Sequence, residues 1–235
     1  MIEPMVFLPG MLCDIRVFMP QIVALSRELA VVTVPTGNGE RVDEIASQIL
    51  SMVPNKFAMM GHGFGGVVAM EIMRRAPERV TRVALISTTP LPETPQEAAD
   101  REMRIVAAKA GRLDDVIAQE IPPSTLAPAN RKEVMSKIAA MARAGGVDTY
   151  VRQSRAMQRR RDQQSTLRRV QQPALVMCGD HDTVTPLKRH EFMSELIPYA
   201  KLSVIQDAGH MPSLEQPVTL TDSLKGWMRQ PLVLR

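Results

Sequence analysis

Six short apolar runs, each followed by a turn and then by a helix-periodic stretch, leave this chain few ways to fold. The runs are MVFL (5–8), VVTV (31–34), FAMM (57–60), VALIS (83–87), ALVMC (174–178) and LSVI (202–205). Each is short and apolar enough to be a strand buried on both faces. Helical periodicity follows near 17–29, 41–52, 64–75, 187–197 and 217–228. Alternation of this kind predicts an α/β fold, a mostly parallel sheet covered by helices on both faces. With 235 residues the chain suits one large domain or one domain with an insertion.

The alternation breaks between STTPLPET (87–94) and QQPALVMC (171–178). The residues between carry apolar positions at helical spacing in 97–110, 113–120, 130–143 and 147–160, separated by IPPSTLAPAN and AGG. The pattern predicts a helical insertion without a strand of its own, a lid over 90–168 set into a core formed by 1–89 and 169–235. It is also the basic part of the chain: residues 91–169 hold 15 of the 29 Lys/Arg and 10 of the 25 Asp/Glu, leaving the remainder near neutral.

Composition excludes several functions. Aromatic residues make up 3% of the chain, too few for the stacking platforms of nucleic-acid binding, while 17 Met suggest an adaptable interior. The beginning, MIEPMVFLPGMLCD, has an early acid, no basic region and only a short apolar run, so neither a signal peptide nor a membrane span is expected and the expected location is cytoplasmic. Cys13 and Cys178 give neither a disulfide framework nor metal-ligand spacing and read as small buried hydrophobes.

The most informative stretch is MMGHGFGGVVAM (59–70), an apolar run, a glycine-rich turn and a helical pattern. In that context the pattern G-x-x-x-G becomes a sharp elbow whose apex is held at positive φ above the sheet. Here the sequence resembles the α/β-hydrolase family, whose elbow reads G-x-S-x-G; this chain has Gly61-His62-Gly63-Phe64-Gly65, with Gly66 letting the helix pack close. The resemblance spans almost the whole chain. It places the acid of a catalytic triad at Asp182 in CGDHDTVTP and the histidine at His210 in IQDAGHMPSLEQP, in the family's order of nucleophile, acid, histidine. It also places an oxyanion hole on the backbone N–H of Met11, or of Leu12, in FLPGMLCD, and on that of Phe64. Pro9-Gly10 stands where the family more often has His-Gly.

The resemblance implies a serine hydrolase acting on carboxylic esters through an acyl-enzyme, with no cofactor and no metal. His210 would be the base and then the acid, and Asp182 would orient it. Thioester, lactone, amide and carbon–carbon cleavage use the same frame and stay open, and an Asp nucleophile is disfavoured because Phe64 replaces the Trp often found beside it. With Gly63 at the apex, covalent catalysis there is abolished. Gly63 has three readings: a serine replaced so as to disarm the enzyme, a natural glycine in a non-catalytic, ligand-binding relative, or a turn with no catalytic history. Retention of both Asp182 and His210 favours the first.

Neighbouring candidates read differently. Asp180 is expected in loop hydrogen bonds, with His181 a second competitor in the same loop. His62 is expected to pack beneath the turn, and His190 to lie solvated on a helix. In RQSRAMQRRR (152–161), Arg152, Arg155 and Arg159 repeat at helical spacing and share one face. That face is either merely solvated or a substrate-binding surface for an anionic ester or an ester carried on an acidic protein; neither a nucleic-acid nor a membrane partner is expected.

Overall fold

The structure, a computed structural model, describes residues 3–232; positions 1–2 and 233–235 of the expected core lie outside them. All six apolar runs become strands: β1 (Met5–Leu8), β2 (Val31–Thr33), β3 (Phe57–His62), β4 (Val80–Ile86), β5 (Ala174–Gly179) and β6 (Ala200–Ile205). They form one parallel sheet in the order β2-β1-β3-β4-β5-β6. Four runs, those of β3, β4, β5 and β6, extend beyond their expected limits. In particular, β4 begins at Val80 and takes in Arg82, whose Nε meets Glu3 at 2.7 Å and thereby satisfies a charge at the strand's start.

The strands read as continuous apolar runs because side chains point alternately into two cores. Met5, Phe7, Ala58 and Met60 enter one core, with α1 (Met19–Leu25) and α10 (Pro217–Met228) packed there. Val6, Leu8, Phe57 and Met59 enter the other, against α2 (Val42–Met52), α3 (Phe64–Arg75) and α8 (Leu187–Leu196). The chain leaves β1 to build β2 on one side and returns to build β3 on the other, so the carboxyl ends of β1 and β3 flank the point where strand order reverses. In open α/β sheets that crevice is where ligands bind.

Between β4 and β5 lie α4 (Pro95–Lys109), α5 (Leu113–Glu120), α6 (Arg131–Gln158) and the single-turn α7 (Gln164–Leu167). Helix α4 starts where Thr94 and Glu97 form a reciprocal capping box with Pro95 in the first turn. The two helical patterns at 130–143 and 147–160 merge into α6, which bends at Gly146 (φ 77°, ψ 168°). Another short helix, α9 (Pro212–Glu215), follows β6.

Candidate active site

Gly63 lies between β3 and α3, capping the helix, at φ 52°, ψ −116°, a conformation open to glycine and strained for other residues. A carbon placed at its missing Cβ would lie 3.8 Å from Gly10 Cα and Ser87 O and 4.0 Å from His210 Nε2, ordinary contacts with room for a side chain. The following helix sits close to the sheet: a Cβ at Gly66 would lie 2.6 Å from Thr88 Oγ1.

His210 and Asp182 come from loops 28 residues apart and meet: His210 Nδ1 donates to Asp182 Oδ2 at 2.9 Å. Asp182 is 4% exposed. Its carboxylate also accepts from the backbone N–H groups of Val184 (3.0 Å) and Thr185 (2.9 Å) and from Thr185 Oγ1 (2.8 Å). Burial opposes that charge, but His210 and the Thr185 donors outweigh it and hold the carboxyl well below the usual carboxylate range. Burial likewise opposes the His210 imidazolium, yet the Asp182 charge and the shared hydrogen bond keep its pKa above the ordinary value. The Nε2 atom is left facing the space over Gly63.

The competing residues separate cleanly. Asp180 accepts from the Ala208 backbone N–H at 3.2 Å, a loop contact. His181 is exposed and lies 3.8 Å from Asp180. His62 is buried, 2.7 Å from the His210 carbonyl through Nε2, and burial together with the nearby His210 charge lowers its pKa to about 4. His190 corrects the expectation of a solvated residue. It lies on α8 but is fully buried, its Nε2 accepts from the Thr88 N–H at 3.2 Å, and burial lowers its pKa to about 4. The helical pattern placed it correctly along the chain; the side facing the sheet became visible only in three dimensions. Cys178 is buried and Cys13 half-buried, and burial raises both thiols to about 12.

Gly63, His210, Met11 and Phe64 line one cavity of about 100 Å³, together with Ser87, Arg101 and Glu120. Phe64 is the first residue of α3, so its N–H has no acceptor in the preceding turn. Of the two backbone donors after β1, Leu12 N–H is taken by Gln153 Oε1 at 3.3 Å. Among the described residues the Met11 N–H has no protein acceptor, which favours Met11 over Leu12 as a donor to a bound oxyanion.

Arg152, Arg155 and Arg159 are not brought to this cavity. Arg152 Nε donates to Gly37 O at 2.7 Å, Arg155 pairs with Glu102, and Arg159 lies 3.3 Å from Glu40. The shared helix face exists, but it packs against neighbouring acceptors instead of roofing the site. The arginine that does line the cavity is Arg101, 7% exposed, held by Glu93 at 2.6 Å and Glu120 at 2.9 Å. In sequence it is one of several charged residues of an amphipathic helix, and no local signal singles it out.

Sequence reasoning also missed two residues that fasten the site from behind. Thr125, fully buried between α5 and α6, accepts the His210 N–H on its carbonyl (2.9 Å) and the Thr183 N–H on its hydroxyl (2.9 Å). Gly209 is what permits this approach, since a Cβ there would lie 1.8 Å from Thr125 O. Glu215 accepts three backbone N–H bonds, from Gly209 and Met211 on either side of His210 (2.9 Å each) and from Ala127 (2.7 Å). Burial raises the Glu215 pKa, an effect those three donors only partly offset.

A tight strand-to-helix turn, a buried Asp–His pair and backbone donors without protein acceptors among the described residues lie together at the switch point of a parallel sheet, the arrangement on which an α/β-hydrolase site is built. The chain belongs to the alpha/beta hydrolase family, which residues 5–222 match. Among curated relatives it is 27% identical over 212 residues to a pimeloyl-(acyl-carrier protein) methyl ester esterase of Aromatoleum aromaticum, covering 80% of this chain and 82% of that protein. Similar folds are seen in a thermophilic esterase from Thermogutta terrifontis (TM-score 0.87, 23% identity, 97% of this chain and 89% of that one). The enol-lactonase of Burkholderia xenovorans is alike to the same degree (TM-score 0.87, 19% identity, 97% and 92%).

Proposed function

We propose that this is the site of a carboxylic ester hydrolase of the acyl-enzyme kind in which Gly63 stands at the nucleophile position, so that the chain binds an ester without acylation at that residue. The observation that carries the reading is His210: its Nδ1 is committed to Asp182 at 2.9 Å, while its Nε2 lies 4.0 Å from where a Cβ at position 63 would be. A hydroxyl one bond beyond that carbon is within reach of Nε2. In such a form the hydroxyl oxygen attacks the ester carbonyl, His210 takes its proton and returns it to the leaving alcohol, and water reverses the sequence to release the acid. Asp182 fixes the imidazole tautomer that makes Nε2 the acceptor. The Met11 and Phe64 N–H groups hold the carbonyl oxygen as it becomes negative. The helices between β4 and β5 act as the lid, since Arg101, Glu120, Ile121 and Met157 close one side of the cavity. The ester class finds support in the relative named for a methyl ester.

The test is Gly63→Ser. Turnover of short p-nitrophenyl esters is expected to rise by orders of magnitude, since loss of a triad serine costs about 10⁶ in a well-studied protease. A fluorophosphonate probe is expected to label position 63. The unchanged chain, in which Ser87 also lines the cavity, should stay unlabelled. A Gly63→Ser form with neither turnover nor labelling refutes the hydrolase reading in favour of ligand binding alone.

A further inference from the structure

The larger of the two neighbouring cavities is not the one that holds Gly63. A cavity of about 320 Å³ lies between the end of β1, the segment after β2 and the bent part of α6. Phe7, Phe18, Val34, Met141 and Ala142 give it apolar walls. Among the described residues Leu12 alone lines both cavities.

Leu12 is also held in a conformation that a leucine rarely adopts. Its φ is 61°, although its side chain is 6% exposed and glycine would suit the backbone better. The backbone is fastened there from α6: Gln153, itself 2% exposed, accepts the Leu12 N–H at 3.3 Å and reaches Thr36 Oγ1 at 3.4 Å, which in turn donates to Pro9 O at 3.0 Å. A bulky side chain kept at a strained position in the wall between two cavities has a use there.

We propose that Leu12 is the partition between the reacting end of the substrate and a pocket for its acyl chain. The substrate class is then an ester of a medium-length apolar acid, its chain passing Leu12 into the larger cavity. The smaller cavity, at about 100 Å³, accommodates the ester group and little else. The larger lies at the low end of the range usual for small-molecule sites, roughly 300–1,000 Å³. Each methylene that enters it multiplies binding by about fourfold. The acyl end is the one directed this way because Met11, whose N–H faces the carbonyl oxygen in the proposed reaction, is the residue next to Leu12.

The inference rests on the ester-hydrolase reading for the ester class, the direction of the chain and the kinetic arm of its test; the cavity's affinity for an apolar chain is tested apart from that reading. In the Gly63→Ser background, kcat/KM is compared for p-nitrophenyl acetate and octanoate. Leu12→Ala should raise the octanoate-to-acetate ratio about tenfold by opening the partition, and Ala142→Phe, which fills the larger cavity, should lower it about tenfold. Separately, the unchanged chain is titrated with decanoate by calorimetry, and Ala142→Phe should weaken binding at least about tenfold. Thermal melts establish that the variants fold, and Thr149→Phe, at a half-buried wall position, replaces Ala142→Phe if that variant does not. Decanoate binding that responds to the cavity-filling change supports the pocket even if Gly63→Ser is inactive. No decanoate binding, equal binding in the filled variant, or a chain-length ratio indifferent to both substitutions overturns it.

Discussion

Replacing Asp182 by Asn exposes how the Asp–His pair works, with or without catalysis. Asn keeps one acceptor oxygen, which can still serve the Val184 and Thr185 N–H groups at 3.0 and 2.9 Å. Its amide nitrogen takes the place of Oδ2, which accepts from Thr185 Oγ1 at 2.8 Å and from His210 Nδ1 at 2.9 Å. The hydroxyl can turn to accept; the imidazole must give up its Nδ1 proton or lose the bond. Two effects follow. In the Gly63→Ser background Nε2 becomes the protonated nitrogen, and kcat should fall by about 10⁴, the loss that the wrong tautomer causes in a Ser-His-Asp triad. Stability should fall as well, by as much as about 3–5 kcal/mol where the imidazole stays charged and less where it can shed its proton. The pH dependence has a definite sign. His210 has a raised pKa in the folded chain, so its contribution is complete below its unfolded value and disappears as pH rises through the folded one. Asp182 has a lowered pKa, so its contribution is complete above its unfolded value and is lost only in strong acid. The difference in unfolding free energy between the unchanged chain and Asp182→Asn, measured in urea, should therefore be greater near about pH 5.5 than near about pH 9.5. Equal differences at the two pH values, or a greater one in base, would refute the charged pair.

Glu215→Gln leaves a single acceptor oxygen for three backbone N–H groups, so at least one donor is orphaned, at about 1–3 kcal/mol in urea unfolding. In the Gly63→Ser background kcat should drop about 10- to 100-fold with KM nearly constant, because the histidine is displaced while the ester pocket is not; a rise in KM alone would argue against this role. Arg155→Gln and Arg159→Gln break partly exposed ion pairs, should change stability by no more than about 1 kcal/mol, and should leave kcat/KM the same for neutral and anionic half-esters. Selective loss on the anionic ester, weakened by salt, would instead restore the substrate-contact reading of that face.

The sheet was legible because parallel strands buried on both faces leave an uninterrupted apolar signature, and five of the helices follow those strands at the expected places. The elbow was legible for a related reason: a strand, four glycines within six residues and a helix admit few local geometries, and Gly63 does sit at positive φ. Asp182 and His210 came from the family's order, and the structure brings them together at 2.9 Å. What stayed hidden depends on which way a helix turns. Periodicity shows that Arg152, Arg155 and Arg159 share a face, but not that Gly37, Glu102 and Glu40 are there to meet them. The same gap concealed the burial of His190 and the placement of Arg101 in the cavity wall.

Thr125 shows the deeper reason. It lies in IPPSTLAPAN, a stretch that reads as a connector because it is rich in proline and small polar residues. Yet its carbonyl meets the His210 N–H and its hydroxyl meets the acid loop at Thr183, so this connector is wedged between the two loops of the Asp–His pair. Glu215 ties the same segment, through Ala127, to both neighbours of His210. None of these contacts uses a side-chain pattern on the partner: the partners are backbone N–H and C=O groups, which every residue carries. A sequence therefore leaves no mark of them except at the one place where a side chain would intrude, Gly209, and there the glycine is as readily read as an ordinary turn. Segments outside the sheet are thus where sequence reasoning assigns a covering role and the folded chain assigns a positioning one.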